Sequence, residues 1–168
     1  RLKNIVNGIL LLQKSTQSDK LKKKDVNLEL LLQQIIEREN KSSRNIELIC
    51  DEKSTHIHIS EIAIETVLSN LVSNAIYYSP ENTPISISIG AATDNKVMII
   101  ISNTSIYLYS EADLEHFFEP LWQKDNSRTS LDRYGLGLAI VKSYCDNIGV
   151  SLSVVMEPEN RVVFRILL

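Results

Sequence analysis

Apolar positions along the first forty residues recur at helical spacing. Leu2, Ile5, Val6, Ile9 and Leu12 lie three and four apart and form one stripe of a helix suited to a partner helix. The polar stretch "SDKLKKKD" follows, with neither glycine nor proline to stop a helix from continuing through it. "VNLELLLQQIIEREN" is a second helix, with Leu28, Leu31, Leu32, Ile35 and Ile36 on one face. From residue 45 the period changes to two: "NIELIC" and "HIHI" alternate and predict strands. Ser60 then caps a helix with Glu61 in its first turn, which runs to about Tyr78 and stops before Pro80.

"PISISIGAA" (84–92) alternates cleanly, and "KVMIIIS" (96–102) is apolar on both faces, as a central strand requires. "TDN" between them supplies turn residues. "SEADLEHFF" (110–118) predicts a short helix capped by Ser110, and residues 123–133 carry charge without apolar period. A helix follows from about Leu136 to Asn147, and "VSLSVVM" and "RVVFRILL" make two final strands. Interspersed elements ending in two consecutive strands predict an α/β (α+β) fold: a two-layer sandwich of a mixed β-sheet and about three helices, preceded by an N-terminal helix.

With 168 residues, 43% of them hydrophobic, the chain can hold one domain with a proper core. The net charge of −3 gives no reason to expect nucleic acid as the main partner. Lys20, Lys22, Lys23 and Lys24 form one basic cluster, either the solvated end of a helix or a binding patch. Cys50 and Cys145 are far apart and in no metal-like spacing, which fits a reducing compartment without a disulfide framework. No apolar run reaches membrane-spanning length. The sequence opens mid-pattern at Arg1, as a piece of a longer chain would.

Several polar and small residues break the core pattern. Thr66, Asn70 and Asn74 line one stripe of the 61–78 helix at i, i+4, i+8, beside an apolar face of Ile64, Val67, Leu68, Leu71, Val72 and Ala75. Asparagine is a poor helix-interior residue. The stripe is either a solvated face or a set of neutral oxygen ligands for a magnesium ion that already carries phosphate oxygens. Two of the five glycines, Gly135 and Gly137, open the helix of "YGLGLAIVKSYCDNIG". They permit either close backbone approach to a phosphate at a helix N-terminus or a turn into a tightly packed helix.

Three segments together resemble a known family. "LSNLVSNAIYYSPE" resembles the asparagine box of the sensor histidine kinase ATP-binding domain, "HFFEPLWQKDNSR" its aromatic segment and the start of its nucleotide lid, and "YGLGLAIVKSYCDNIG" its second glycine box. They occur in the family's order and spacing, and the likeness covers nearly the whole chain. It implies the sandwich shared with gyrase, the mismatch-repair ATPase and the ninety-kilodalton heat-shock chaperone. It divides the chain into residues 1–24, the end of a dimerisation and phosphoacceptor hairpin, and 25–168, an ATP-binding catalytic domain.

The resemblance also implies roles. Asn74 would hold magnesium on ATP, with Asn70 lining the same site one turn earlier. Gly135 and Gly137 would bring backbone amides to the phosphates, with Leu136 and Leu138 opening the helix behind them. Lys124 and Arg128 would be lid cations, unless they are ordinary loop charge, and Phe117, Phe118 and Trp122 would anchor the lid. Asn103 would accept the adenine amino group in place of the family's aspartate. The implied partners are a response regulator and a second copy through the hairpin, in the cytoplasmic part of a sensor.

The departures fall mainly in the first glycine box, which reads "NTSIY" here. Ser105 and Tyr107 stand where the family has glycines, and Tyr107 either crowds the base or stacks near it. Tyr77 replaces a lysine, Arg133 replaces the first glycine of the second box, and "EPENRVV" lacks the glycines of the final hairpin. His56, His58 and His116 match no phosphoacceptor pattern. The alternatives are therefore a degenerate nucleotide-binding domain acting as an interaction module, or another ATPase of the same superfamily.

Overall fold

The computed structural model describes residues 22–51, 55–124 and 135–168. The N-terminal helix over 2–13, most of the 1–24 segment, Arg128 and Arg133 lie outside the described residues. In chain order the elements are strand β1 (Lys24–Asn27), helix α1 (Leu28–Glu39), strands β2 (Ile46–Cys50) and β3 (His56–Ile59), helix α2 (Glu61–Tyr78), strands β4 (Ile85–Ala91) and β5 (Val97–Thr104), the short helix α3 (Glu111–His116), helix α4 (Gly137–Ile148), and strands β6 (Ser151–Glu157) and β7 (Arg161–Leu167).

Five strands form one mixed sheet in the order β2-β4-β5-β7-β6. β2 and β4 run parallel and the other pairs are antiparallel. β5, the strand without an exposed polar face in sequence, is the central one, as predicted. Its Ile99 and Ile101 are fully buried, and Ile89, Ile87, Phe164 and Ile166 sit across from them on β4 and β7. α1, α2 and α4 supply the second layer. α2 is the middle of it: Ile64, Val67, Leu68, Leu71 and Val72 are fully buried, so the apolar face read from the sequence is the core face. Burying five such side chains contributes on the order of 1.5–3 kcal/mol each, which is why the helix tolerates two interior asparagines on its other stripe.

The lead-in differs from the sequence reading in one respect. Val26 and Asn27 do not belong to a helix: Lys24–Asn27 is a strand that pairs antiparallel with β3, and α1 starts at Leu28. The reason is local. Asn27 is the N-cap, its side chain accepting from the Leu30 amide at 3.0 Å, and Val26 turns into the core. Asp25 lies opposite His58, whose Nδ1 is 2.8 Å from the Asp25 carboxylate. α2 matches its expected ends, with Ser60 as cap, while α4 runs to Ile148, one residue past the expected Asn147, and Gly149 closes it in a left-handed conformation at φ 71°.

Candidate functional site

The site is built where α2 and α4 meet. Thr66, Asn70 and Asn74 are half-buried on the stripe of α2 that turns toward the start of α4. Thr66 Oγ1 donates to the Ile62 carbonyl at 2.7 Å, and Asn70 Nδ2 donates to the Thr66 carbonyl at 2.8 Å. With its amide nitrogen used in this way, Asn70 presents its oxygen outward. That oxygen meets Gly137: a Cβ on Gly137 would lie 3.1 Å from Asn70 Oδ1 and 3.9 Å from Asn74 Oδ1. The glycine at the first position of α4 therefore lets a helix N-terminus sit directly against two carboxamides. Backbone N–H donors and neutral oxygen acceptors face one small volume.

Gly135 has a different task. Its φ is +67°, and a Cβ there would lie 2.5 Å from the Trp122 carbonyl oxygen and 2.7 Å from the Leu121 carbonyl carbon. Its own carbonyl accepts from the Leu121 amide at 2.9 Å. Of the two readings that the sequence left open for these glycines, tight backbone packing holds at Gly135, where the close approach is to the chain of the aromatic segment. Leu136, buried, is the N-cap residue of α4, and Leu138 packs against the core edge. The predicted helix start is thus displaced by one residue, to Gly137.

Asn103 ends the helix-facing row of β5, opposite Ile85 on β4 and Val162 on β7. It is 5% exposed, and its Nδ2 donates to the Thr104 carbonyl at 3.1 Å. A polar side chain on an otherwise aliphatic face carries a desolvation cost, which Asn103 limits by standing at the end of the row with its amide hydrogen-bonded.

A row of aromatic rings runs from the end of α2. Tyr78 continues the Asn70, Asn74 stripe by four residues, a spacing that the sequence contained and that passed unnoticed. From Tyr78 the rings run to Tyr107 (6.1 Å between centroids), Tyr109 (6.1 Å), Phe117 (4.7 Å, edge to face) and Trp122 (5.3 Å). Trp122 carries the carbonyl that contacts Gly135, which closes a circuit back to Gly137 and the asparagines. Burial pushes the Tyr109 hydroxyl up to about 12, opposed by a side-chain hydrogen bond with Ser105.

Lys124, expected as a lid cation, is held by Asp113 at 2.5 Å. Asp113 also accepts from the Ser110 amide at 2.7 Å and the Ser110 hydroxyl at 2.8 Å, completing the capping box of α3. The hydrogen bond from Lys124 and those from Ser110 hold the Asp113 carboxyl at about 2. His116 is exposed and pairs with Glu119 at 2.9 Å, as a helix-surface residue does. Among the described residues no group of three or more His, Cys, Asp and Glu side chains can hold a metal.

These features define a two-layer sandwich in which two carboxamides of α2 stand beside the start of α4. The sequence profile of the histidine kinase-, DNA gyrase B- and HSP90-like ATPase family matches residues 59–168, and the chain belongs to that family. It is similar to the sensor histidine kinase WalK of Bacillus subtilis, with 29% identity over 84% of this chain and 24% of WalK. Among solved structures it superposes on the catalytic domain of histidine kinase ThkA, with 26% identity and a TM-score of 0.72 over 87% of this chain and 94% of that one. Full-length ShkA in complex with AMPPNP matches at a TM-score of 0.79 and 23% identity, over 99% of this chain and 35% of ShkA. The fold and its relatives identify the ATP-binding catalytic domain of a sensor histidine kinase. The chain spans about a quarter to a third of the length of WalK and other curated relatives that it matches.

Two outcomes test this geometry. Gly135→Ala puts a Cβ into the Leu121–Trp122 backbone at a left-handed φ. We expect a loss of about 1–3 kcal/mol in denaturant unfolding, with a shift in the emission of Trp122, the protein's one tryptophan. The depressed Asp113 carboxyl contributes stability that is complete above the ordinary aspartate value of about 4 and is lost as pH falls through about 2. Asp113→Asn is therefore expected to melt below the wild type at pH 6, with the gap closing between pH 4 and pH 2; a gap independent of pH would contradict the pairing.

Proposed function

We propose that this domain binds magnesium-ATP between the asparagines of α2 and the start of α4 and positions the γ-phosphate for in-line attack by a histidine of a preceding helical hairpin. The observation that carries the reading is the closeness of Gly137 to the Asn70 and Asn74 oxygens, 3.1 and 3.9 Å from where a Cβ would stand.

The donor set fits magnesium of one kind. Asn74 and Asn70 offer neutral carbonyl oxygens, so an ion held there must bring its own anionic ligands, as magnesium on a triphosphate does. Bound magnesium supplies charge neutralisation on the phosphate oxygens. This chain's own residues do the rest. Asn74 and Asn70 orient the phosphate chain, and the backbone N–H groups at the start of α4, from Gly135 through Leu138, donate to phosphate oxygens. Asn103 accepts from the base edge with Oδ1, since its Nδ2 is already used. Lys124 exchanges Asp113 for phosphate when ATP arrives, and Arg128 adds a second cation from the lid. The domain's contribution to rate is then orientation and electrostatic stabilisation.

On this reading the histidine accepts the phosphoryl group and passes it to a response regulator, in a dimer formed through the hairpin. The domain would work on the cytoplasmic side of a sensor. No helix among the described residues is long and apolar enough to cross a membrane. None of the described histidines has the setting of a nucleophile: His56 and His58 are exposed on β3 and His116 is paired with Glu119.

Calorimetric titration with magnesium-ATP tests the binding step. We expect Asn74→Ala to lose magnesium-dependent affinity at least tenfold while remaining folded, and Asn70→Ala to lose less. Unchanged affinity in Asn74→Ala would remove the assignment. Radiolabelled ATP tests the transfer. The 168-residue chain is expected to take up no acid-labile label, whereas a longer chain with the hairpin histidine labels there. Label on the short chain, or none on a longer chain that binds ATP, would contradict the proposal.

A further inference from the structure

We propose that Tyr107 is the surface on which the nucleotide base stacks, so that this domain holds its base by ring-on-ring contact where its relatives have an open glycine turn. This rests on the nucleotide reading above and names a residue that reading does not use.

The turn that carries Tyr107 is fastened at every position. The Ser105 amide donates to the Asn160 carbonyl at 2.9 Å, and Asn160 Nδ2 donates back to the Ser105 carbonyl at 2.6 Å. The Ile106 amide donates to the Tyr78 carbonyl at 2.8 Å. The Tyr107 amide donates to Ser105 Oγ at 3.0 Å. Asn160 can do this because Glu159 and Asn160 both take left-handed conformations, φ 61° and 60°, in the tight β6–β7 turn. The absent hairpin glycines are thus replaced by an asparagine whose side chain braces the altered box. Ser105 is 4% exposed and acts as the hub, since it also hydrogen-bonds to Tyr109.

The backbone that carries the ring is thus held in place, and the ring is flanked by Tyr78 and Tyr109, at interplanar angles of 52° and 57°. The ring is half-buried, so part of its surface remains exposed. Tyr78 continues the Asn70 and Asn74 stripe of α2, and Asn103 lies four residues before Tyr107 at the end of β5. A partly exposed ring next to the asparagines offers a stacking surface for a flat heteroaromatic group, and stacking is worth about 1–3 kcal/mol per base. It also tolerates any base, because every base has a π-face.

The test separates base from phosphate. The 168-residue protein, its Tyr107→Leu variant and its Tyr107→Phe variant are titrated by calorimetry with magnesium-ATP, magnesium-GTP and magnesium tripolyphosphate, with thermal melts to confirm folding. We expect Tyr107→Leu to bind both nucleotides about tenfold more weakly, with tripolyphosphate affinity unchanged, and Tyr107→Phe to bind like the wild type. Tighter ATP binding by Tyr107→Leu would show the ring to be an obstruction, and unchanged ATP binding would show it to be uninvolved; each overturns the proposal. An equal loss for tripolyphosphate also overturns it, since the ring would then be acting on the fold. A wild type that binds neither nucleotide overturns the underlying reading instead, and this one with it.

Discussion

The approach of Gly137 to the asparagines of α2 is the contact on which the rest of the site depends. A Cβ at that position would lie 3.1 Å from Asn70 Oδ1, so glycine there lets the first turn of α4 rest against a polar stripe without displacing it. Two consequences follow from one missing methyl group. The free N–H groups of a helix terminus and the oxygens of two carboxamides come to share a volume, and neither set brings a net charge. A site assembled this way is suited to a ligand that supplies both anion and cation, which is what a triphosphate with its magnesium does.

Around that contact the chain sets a row of rings. The row from Tyr78 to Trp122 joins the end of α2, the altered glycine box, α3 and the aromatic segment. Gly135 locks the far end by accepting a backbone–backbone approach that no other residue permits at its φ. The substitutions that look like losses in the sequence are therefore not isolated. Ser105, Tyr107 and Asn160 form one hydrogen-bonded unit, which ties the segment after β5 to the final hairpin. Lys124 is similarly tied to Asp113 within the capping box of α3. Any function for that cation in phosphate binding has to compete with, or share, its bond to Asp113.

Much of this was legible in the chain. The period-two and period-3.6 patterns fixed nearly every element, because burial drives both the pattern and the structure; β5 and α2 are the clearest cases. The Asn70 and Asn74 stripe was visible because it interrupts an apolar helix. Three features were hidden. β1 escaped notice because a four-residue strand beside a lysine run has no period to read, and its pairing with β3 depends on residues thirty positions away. The task of Gly135 was hidden because a glycine's neighbour across space leaves no trace in its sequence context. The Ser105–Asn160 brace was hidden because it joins residues 55 positions apart. Its one sequence signal was an asparagine in a glycine-free turn, the residue type most tolerant of a left-handed conformation after glycine.

The central claim is that α2's asparagines, the start of α4 and the end of β5 form one ligand site. Nuclear magnetic resonance titration of the isotope-labelled 168-residue chain with magnesium-ATP tests it most directly. The account predicts that the side-chain amide signals of Asn70, Asn74 and Asn103 and the backbone amides of Gly137 and Leu138 move together with one affinity, while those of β1 and β3 stay still. Shifts confined to other surfaces, or asparagine and Gly137 signals that respond with different affinities, would contradict it.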